Sequence, residues 1–265
     1  MIIDCHTHLN QYELLGKISS LDDRVKKLIE TMSSHNVDYS LVLSSYQVNE
    51  QRPSTQQLIS ATEKYDNLGI VAGYSINNHT EDDLKQYREW IKDGSIKGLK
   101  LYCGYEHYYP YDTKYQKVYD TCVEFGVPVM IHTGDTFSGQ GKLKFSHPIH
   151  IDEVAVDNPE LKIVMCHLGN PWIEDCQEVV YKNDNVYADM SGLAVGKFDH
   201  IFEMRMIEKV AELINYAGEP RYLLYGTDWP ISDMDSYLSF VAKLKLKQKY
   251  RDELMYQNAK ELFNI

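Results

Sequence analysis

Nowhere in the 265 residues does an apolar run approach the roughly 20 residues that a membrane-crossing helix requires. The N-terminus lacks the basic start and apolar stretch of a secretory leader, so the chain is read as that of a cytoplasmic protein. Cysteine is sparse: Cys5, Cys103, Cys122, Cys166 and Cys176 are odd in number, show no Cys-x-x-Cys spacing and sit mostly in apolar runs or helical patterns. Buried free thiols are expected, not a disulfide framework. Positive charge is also short, with 27 Lys and Arg against 39 Asp and Glu for a net charge of −12. Such a balance opposes the counterion-releasing contacts on which nucleic-acid binding depends, leaving a small molecule as the expected partner. No Gly-x-Gly-x-x-Gly follows the first apolar segment, and no repeat, low-complexity tract or Pro/Gly-rich linker divides the chain.

What is present is ordinary for a soluble globular domain, 43% hydrophobic and 25% charged. Eight short apolar segments, at 2–8, 39–43, 68–74, 96–102, 127–132, 162–167, 186–190 and 222–228, have the length and composition of strands. Helical spacing lies between them, as in Val25, Leu28, Ile29 and Met32, or Tyr115, Val118, Tyr119 and Cys122. Eight strand-helix units of about 33 residues each predict an α/β fold, a single-domain (β/α)8 TIM barrel over 1–265, with 252–263 as a closing helix. A doubly wound open sheet is the rival architecture. Three long segments after strands, 44–52, 103–111 and 134–147, fall where a barrel carries its site; the third is either a lid with Gly134, Gly139 and Gly141 as hinges or a mobile surface loop.

His6-Thr7-His8 closes the first segment. Strand alternation places Asp4, His6 and His8 on one face and turns Ile3, Cys5 and Thr7 toward the covering helices. Two histidines so spaced can grip one divalent ion or be a structural pair. His132, His167 and Asp228 end three further apolar segments and so belong at the same rim, which favours the ion. The expected set is His6, His8, His132 and Asp228 around one ion, with Asp228 also able to take a proton from water and His167 left as an acid, base or electrophile.

Ordered segments along nearly the whole chain resemble the amidohydrolase-2 family of metal-dependent hydrolases and non-oxidative decarboxylases. They are Ile3-Asp4-Cys5-His6-Thr7-His8, Lys97-Gly98-Leu99-Lys100-Leu101, Pro128-Val129-Met130-Ile131-His132-Thr133-Gly134, Ile163-Val164-Met165-Cys166-His167-Leu168-Gly169, Val186-Tyr187-Ala188-Asp189-Met190-Ser191-Gly192 and Tyr225-Gly226-Thr227-Asp228-Trp229-Pro230, with Asn258-Ala259 ahead of Leu262-Phe263. The resemblance implies His6, His8, His132 and Asp228 as metal ligands, His167 as the catalytic histidine, and pairing into a homodimer. It also leaves Lys100 open between a carboxylated bridge for a second ion and a lysine paired with carboxylate or substrate; one ion is favoured over two. Nitrogen and oxygen ligands suit Zn, the default, and equally Mn, Fe or Co.

The stretch from Tyr102 through Tyr111 departs from the shorter His-Pro turn expected of the family, so its tyrosines line either a pocket or a subunit contact. His107 and His147 stay outside the metal set. Arg52 is the best-placed cation for an anionic substrate, or else a solvated charge, and Trp229 packs at the mouth or stacks on substrate. Hydrolysis of an amide, ester or lactone is the first reading. Decarboxylation of an aromatic or unsaturated acid is the second. A TatD-like nuclease would show Glu on the fourth strand and a basic mouth, and a non-catalytic scaffold would have no need of the ligand set.

Overall fold

The apolar segments pair as parallel strands in simple chain order. In the computed structural model, which describes residues 1–11 and 20–265, the strands are β1 (Ile3–Thr7), β2 (Tyr39–Leu43), β3 (Leu68–Gly73), β4 (Gly98–Leu101), β5 (Val129–Ile131), β6 (Ile163–Met165), β7 (Val186–Asp189) and β8 (Leu223–Leu224), each hydrogen-bonded to the next. The helices that return the chain are α1 (Leu21–Ser34), α2 (Thr55–Thr62), α3 (Glu81–Lys92), α4 (Gln116–Phe125), α5 (His150–Asp157), α6 (Ile173–Lys182), α7 (His200–Ala217) and α8 (Met234–Lys243). The expected TIM barrel is therefore the observed fold. Its seam lies between β8 and β1, where Cys5 N donates to Tyr225 O at 3.0 Å, Asp228 N to His6 O at 2.8 Å and His8 N to Trp229 O at 2.7 Å.

Local chemistry explains the helix boundaries. Ser20 caps α1 by accepting from Asp23 N, and Ser54 with Gln57 and Thr80 with Asp83 form capping boxes at α2 and α3. Gly126, at φ 65, stops α4 in the left-handed conformation that a side chain resists. On α1 the helical spacing buries Val25, Leu28 and Met32 as expected.

Alternation along the strands divides the core into two layers. Val42, Ile70, Ala72, Leu99, Leu101, Val129 and Ile131 face the helices. Leu41, Leu43, Val71, Met130, Val164 and Leu224 fill the inside. The closing helix begins earlier than expected, as α9 (Gln248–Asp252), and runs through a π-turn (Glu253–Gln257) into α10 (Asn258–Phe263). Ala259, Leu262 and Phe263 join the inner layer with Ile3, so this helix plugs the end of the barrel where the strands start.

Strand β1 corrects the sequence reading. Ile3 and Cys5 do not turn to the helices; both belong to the inner layer with Met130, Val164 and Cys166. The pairing of β1 with β2 shifts register between Asp4 and Thr7, a bulge that breaks strict alternation. Beyond it the phase is restored for the rim, with His6 and His8 inward and Thr7 bonded to Ser40 and Leu41 of β2.

Candidate metal centre

At the end of the barrel where strands finish, a cavity of about 220 Å³ is lined by His6 from β1, His8 just after it, Lys100 from β4, His132 after β5, His167 after β6 and Asp228 after β8. The imidazoles are close-set: ring centres are 5.3 Å apart for His6 and His8, 5.0 Å for His6 and His167, and 4.9 Å for His132 and His167.

All four rings have one nitrogen tied to an atom that only accepts, His167 Nδ1 to Ser191 O at 3.1 Å among them, which assigns the proton and frees the other nitrogen. His6 Nδ1 donates to Asp189 Oδ2 at 2.9 Å, His8 Nδ1 to Leu43 O at 2.9 Å, and His132 Nε2 to Asp135 O at 2.8 Å. The lone pairs therefore sit on Nε2 of His6 and His8 and on Nδ1 of His132. His8 Nε2 lies 3.3 Å, and His6 Nε2 3.8 Å, from Asp228 Oδ1. That buried oxygen has no hydrogen-bond partner among the described residues. A carboxylate oxygen out of water and facing bare imidazole nitrogens is poorly satisfied by the chain alone, and a divalent cation satisfies it. Two ligand groupings emerge from the geometry, His6 with His8 and Asp228, and His6 with His167 and Asp189. His132 shares the cavity but falls outside both.

Electrostatics agree with a neutral nitrogen set. Burial pushes His6 down to about 3, against the pull of Asp189, and lowers His132 and His167 as well. Asp228 would be raised by burial, yet His8 and His6 hold it below its ordinary value, so it stays ionised. Neutral imidazole and ionised carboxylate are the forms that bind metal.

Asp189 and Ser191 are the residues that sequence reasoning missed. Asp189 Oδ1 accepts from His167 N and Ser191 N, both at 3.0 Å, and from Ser191 Oγ, while Oδ2 takes the His6 proton. Burial opposes its charge, but His6 and these donors hold it well below the usual carboxylate range. Ser191 also faces His167: its carbonyl accepts from His167 Nδ1 at 3.1 Å. The available signal was that Asp189 closes the apolar run Val186 to Ala188, as the expected ligands close theirs. Gly192 (φ 63) completes the arrangement, because a Cβ there would lie 2.7 Å from His167 Nδ1 and 3.0 Å from Asp228 Oδ2.

The other candidates divide. Arg52 reaches the cavity, donates to Gln47 Oε1 at 3.0 Å and stands 6.0 Å from the Tyr46 ring centre. Tyr102 lines the cavity and donates its hydroxyl to Ser44 O. With Tyr46 and Tyr105 it makes an aromatic wall, ring centres 5.1 to 6.3 Å apart. Lys100 is buried and has no carboxylate at ion-pair distance among the described residues; its Nζ meets Cys166 Sγ. Trp229 is buried in the layer between strands and helices, outside the cavity lining. His107 binds Gln140 O and His147 packs on Trp172, both away from the centre. Of 134–147, Phe137, Ser138 and Gln140 reach the cavity.

No curated protein matches the chain. Among solved structures, an uncharacterised TIM-barrel protein from Bordetella bronchiseptica aligns with a TM-score of 0.74 at 19% identity, covering 99% of this chain and 98% of that one. A probable 2-pyrone-4,6-dicarboxylic acid hydrolase from Acinetobacter baumannii aligns at 0.67 and 17% identity, covering 100% and 99%. A dihydroxybenzoic acid decarboxylase from a Polaromonas species, with manganese and an inhibitor bound, aligns at 0.69 and 14% identity, covering 99% and 96%. Such identities speak for the fold. The profile of the amidohydrolase family, by contrast, matches the sequence itself over residues 3–265, and with that match the chain belongs to the amidohydrolase family.

Proposed function

We propose that the protein is a metal-dependent hydrolase acting on an amide, ester or lactone of a small molecule, with one divalent ion held by His6, His8, His132 and Asp228. Zn is the first choice and Mn, Fe or Co the alternatives. The observation that carries this reading is the buried Asp228 Oδ1, without a hydrogen-bond partner among the described residues and facing His6 and His8. The ion would supply Lewis-acid activation of water and of the substrate carbonyl. Asp228 is ionised and beside the cavity, so it takes the proton of the attacking water and passes it to the leaving group. His167, kept neutral by burial and with its proton held on Nδ1 by the Ser191 carbonyl, presents a bare Nε2 that can accept a proton in the cavity. Arg52, steadied by Gln47, anchors an anionic group of the substrate.

A second reading, non-oxidative decarboxylation, draws on the aromatic wall of Tyr46, Tyr102 and Tyr105 next to Arg52, which suits a planar carboxylate. The decarboxylase and hydrolase among the structural neighbours are consistent with either chemistry on this fold. Metal analysis followed by a screen of lactones, amides and aromatic carboxylic acids separates the two: carbon dioxide release from an acid overturns the hydrolase reading. Asp228→Asn is expected to lower turnover by about 10²- to 10⁴-fold with an unchanged circular dichroism spectrum. Undiminished turnover would remove Asp228 from the chemistry.

A further inference from the structure

We propose that Lys100 and Cys166 are a modification site, joined in the presence of dioxygen by a covalent N–O–S cross-link in the wall of the cavity. Lys100 Nζ stands 2.6 Å from Cys166 Sγ, donated from β4 to the residue after β6, across 66 positions of sequence. Nitrogen and sulfur in an ordinary hydrogen bond stand farther apart, because sulfur is larger than oxygen. One oxygen atom bonded to both would span much the same separation, so the cross-link needs little movement of either side chain.

The surroundings favour this outcome over the usual fates of a thiol. Cys166 is free and fully buried, as are the other four cysteines, which protects it from bulky thiols in solution. The amine lacks a carboxylate among the described residues and has the sulfur as its hydrogen-bond partner. Lys100 itself lines the cavity, which gives a small oxidant a route to the pair.

The reaction balances with one dioxygen. The thiol gives up its S–H hydrogen and the amine one N–H hydrogen; S–O and N–O bonds form to one oxygen atom, and the other leaves as water with those two hydrogens. Sulfur and nitrogen are oxidised by two electrons each, and dioxygen is reduced by four. The product nitrogen is far less basic than an alkylamine, so the cavity loses a side chain able to carry positive charge.

The test is independent of the enzyme's substrate and metal. Protein purified in air and protein kept anaerobic with dithiothreitol are compared by accurate mass after denaturation. The air sample is expected to be about 14 Da heavier, one oxygen gained and two hydrogens lost. Trypsin should then fail to cut after Lys100, and the peptides holding Lys100 and Cys166 should travel together until reduced. Lys100→Arg and Cys166→Ser should each erase the gain, with Cys166→Ala as the replacement if the serine variant does not fold. Unchanged mass in air, oxygen added to Cys166 alone, or a loss of about 2 Da from a disulfide with Cys5 or a direct S–N bond would each overturn the proposal.

Discussion

Asp189 does not line the cavity as the proposed ligands do, yet it decides which nitrogen of His6 is bare. Replacing it by Asn removes the fixed negative charge that holds the Nδ1 proton, so His6 Nε2 becomes a weaker donor. Asp189→Asn is expected to weaken metal affinity by about 10- to 100-fold, read by competition with a chelator. An unaltered affinity would mean that His6 is oriented without it. The same residue shows the limit of reading single positions. His6, His8, His132, His167 and Asp228 were visible because each closes an apolar run. Asp189 closes one too, but a carboxylate there was indistinguishable from a strand end meeting solvent. The contact of Lys100 with Cys166 was invisible for another reason: Lys100 stood out, but nothing marked Cys166 as its partner until a barrel brings β4 and β6 within reach of one another.

At the scale of elements, the loops after β3 and β4 are fastened to each other, as are those after β5 and β6, and two positions test how firmly. Glu106, in the loop after β4, accepts at Oε1 from Ser75 Oγ at 2.6 Å, from Asn77 Nδ2 at 2.9 Å and from Asn77 N at 3.3 Å, while its buried Oε2 has no partner among the described residues. Burial raises its carboxyl above the ordinary glutamate value of 4.5 in spite of these donors. A carboxyl raised on folding contributes stability that is complete in acid and lost as pH climbs through its folded value. Relative to Glu106→Gln, the wild type is therefore expected to lose stability as pH rises above the ordinary glutamate value of 4.5, measured by urea midpoints; a constant difference would refute the shift. Gly134 (φ 87) starts the next loop, and a Cβ on it would lie 2.3 Å from Asn170 O. Gly134→Ala is expected to destabilise by about 2 kcal/mol or more, through left-handed strain plus a clash with backbone. Equal denaturation midpoints would show that the turn can yield.

Element boundaries also explain what patterning left unseen. The eight apolar segments all became strands, but β8 shortened from 222–228 to Leu223–Leu224, because Tyr225 to Asp228 bond across to β1 and to Leu254 instead of extending a regular ladder. The bulge in β1 was equally hidden. It leaves no mark in residue type, and only pairing with β2 exposes it.

For the whole molecule, the apolar interior ends in a plug contributed by the last residues of the chain. Phe263 is buried with Ile3 and Leu262 at the strand starts. Phe263→Ala is expected to lower stability by about 3 to 5 kcal/mol, since the cavity it leaves is ringed by strands that cannot collapse inward. A loss below about 1 kcal/mol in chemical denaturation would show that the helix caps the barrel without bearing on it. The barrel itself was legible in sequence because alternating strand and helix patterns repeat at near-constant length. Its plug was only half legible, since a closing helix has the same apolar spacing whether it lies on a flank or under the strands.

The seam between β8 and β1 gives this architecture a consequence in time. His6 and His8 stand on one side of it and Asp228 on the other, joined through Asp228 N to His6 O and His8 N to Trp229 O. During synthesis, the two histidines leave the ribosome long before Asp228 is translated. A product ending ahead of residue 228 carries both histidines but not Asp228, so the proposed centre is completed only after β8 has been made and has closed against β1.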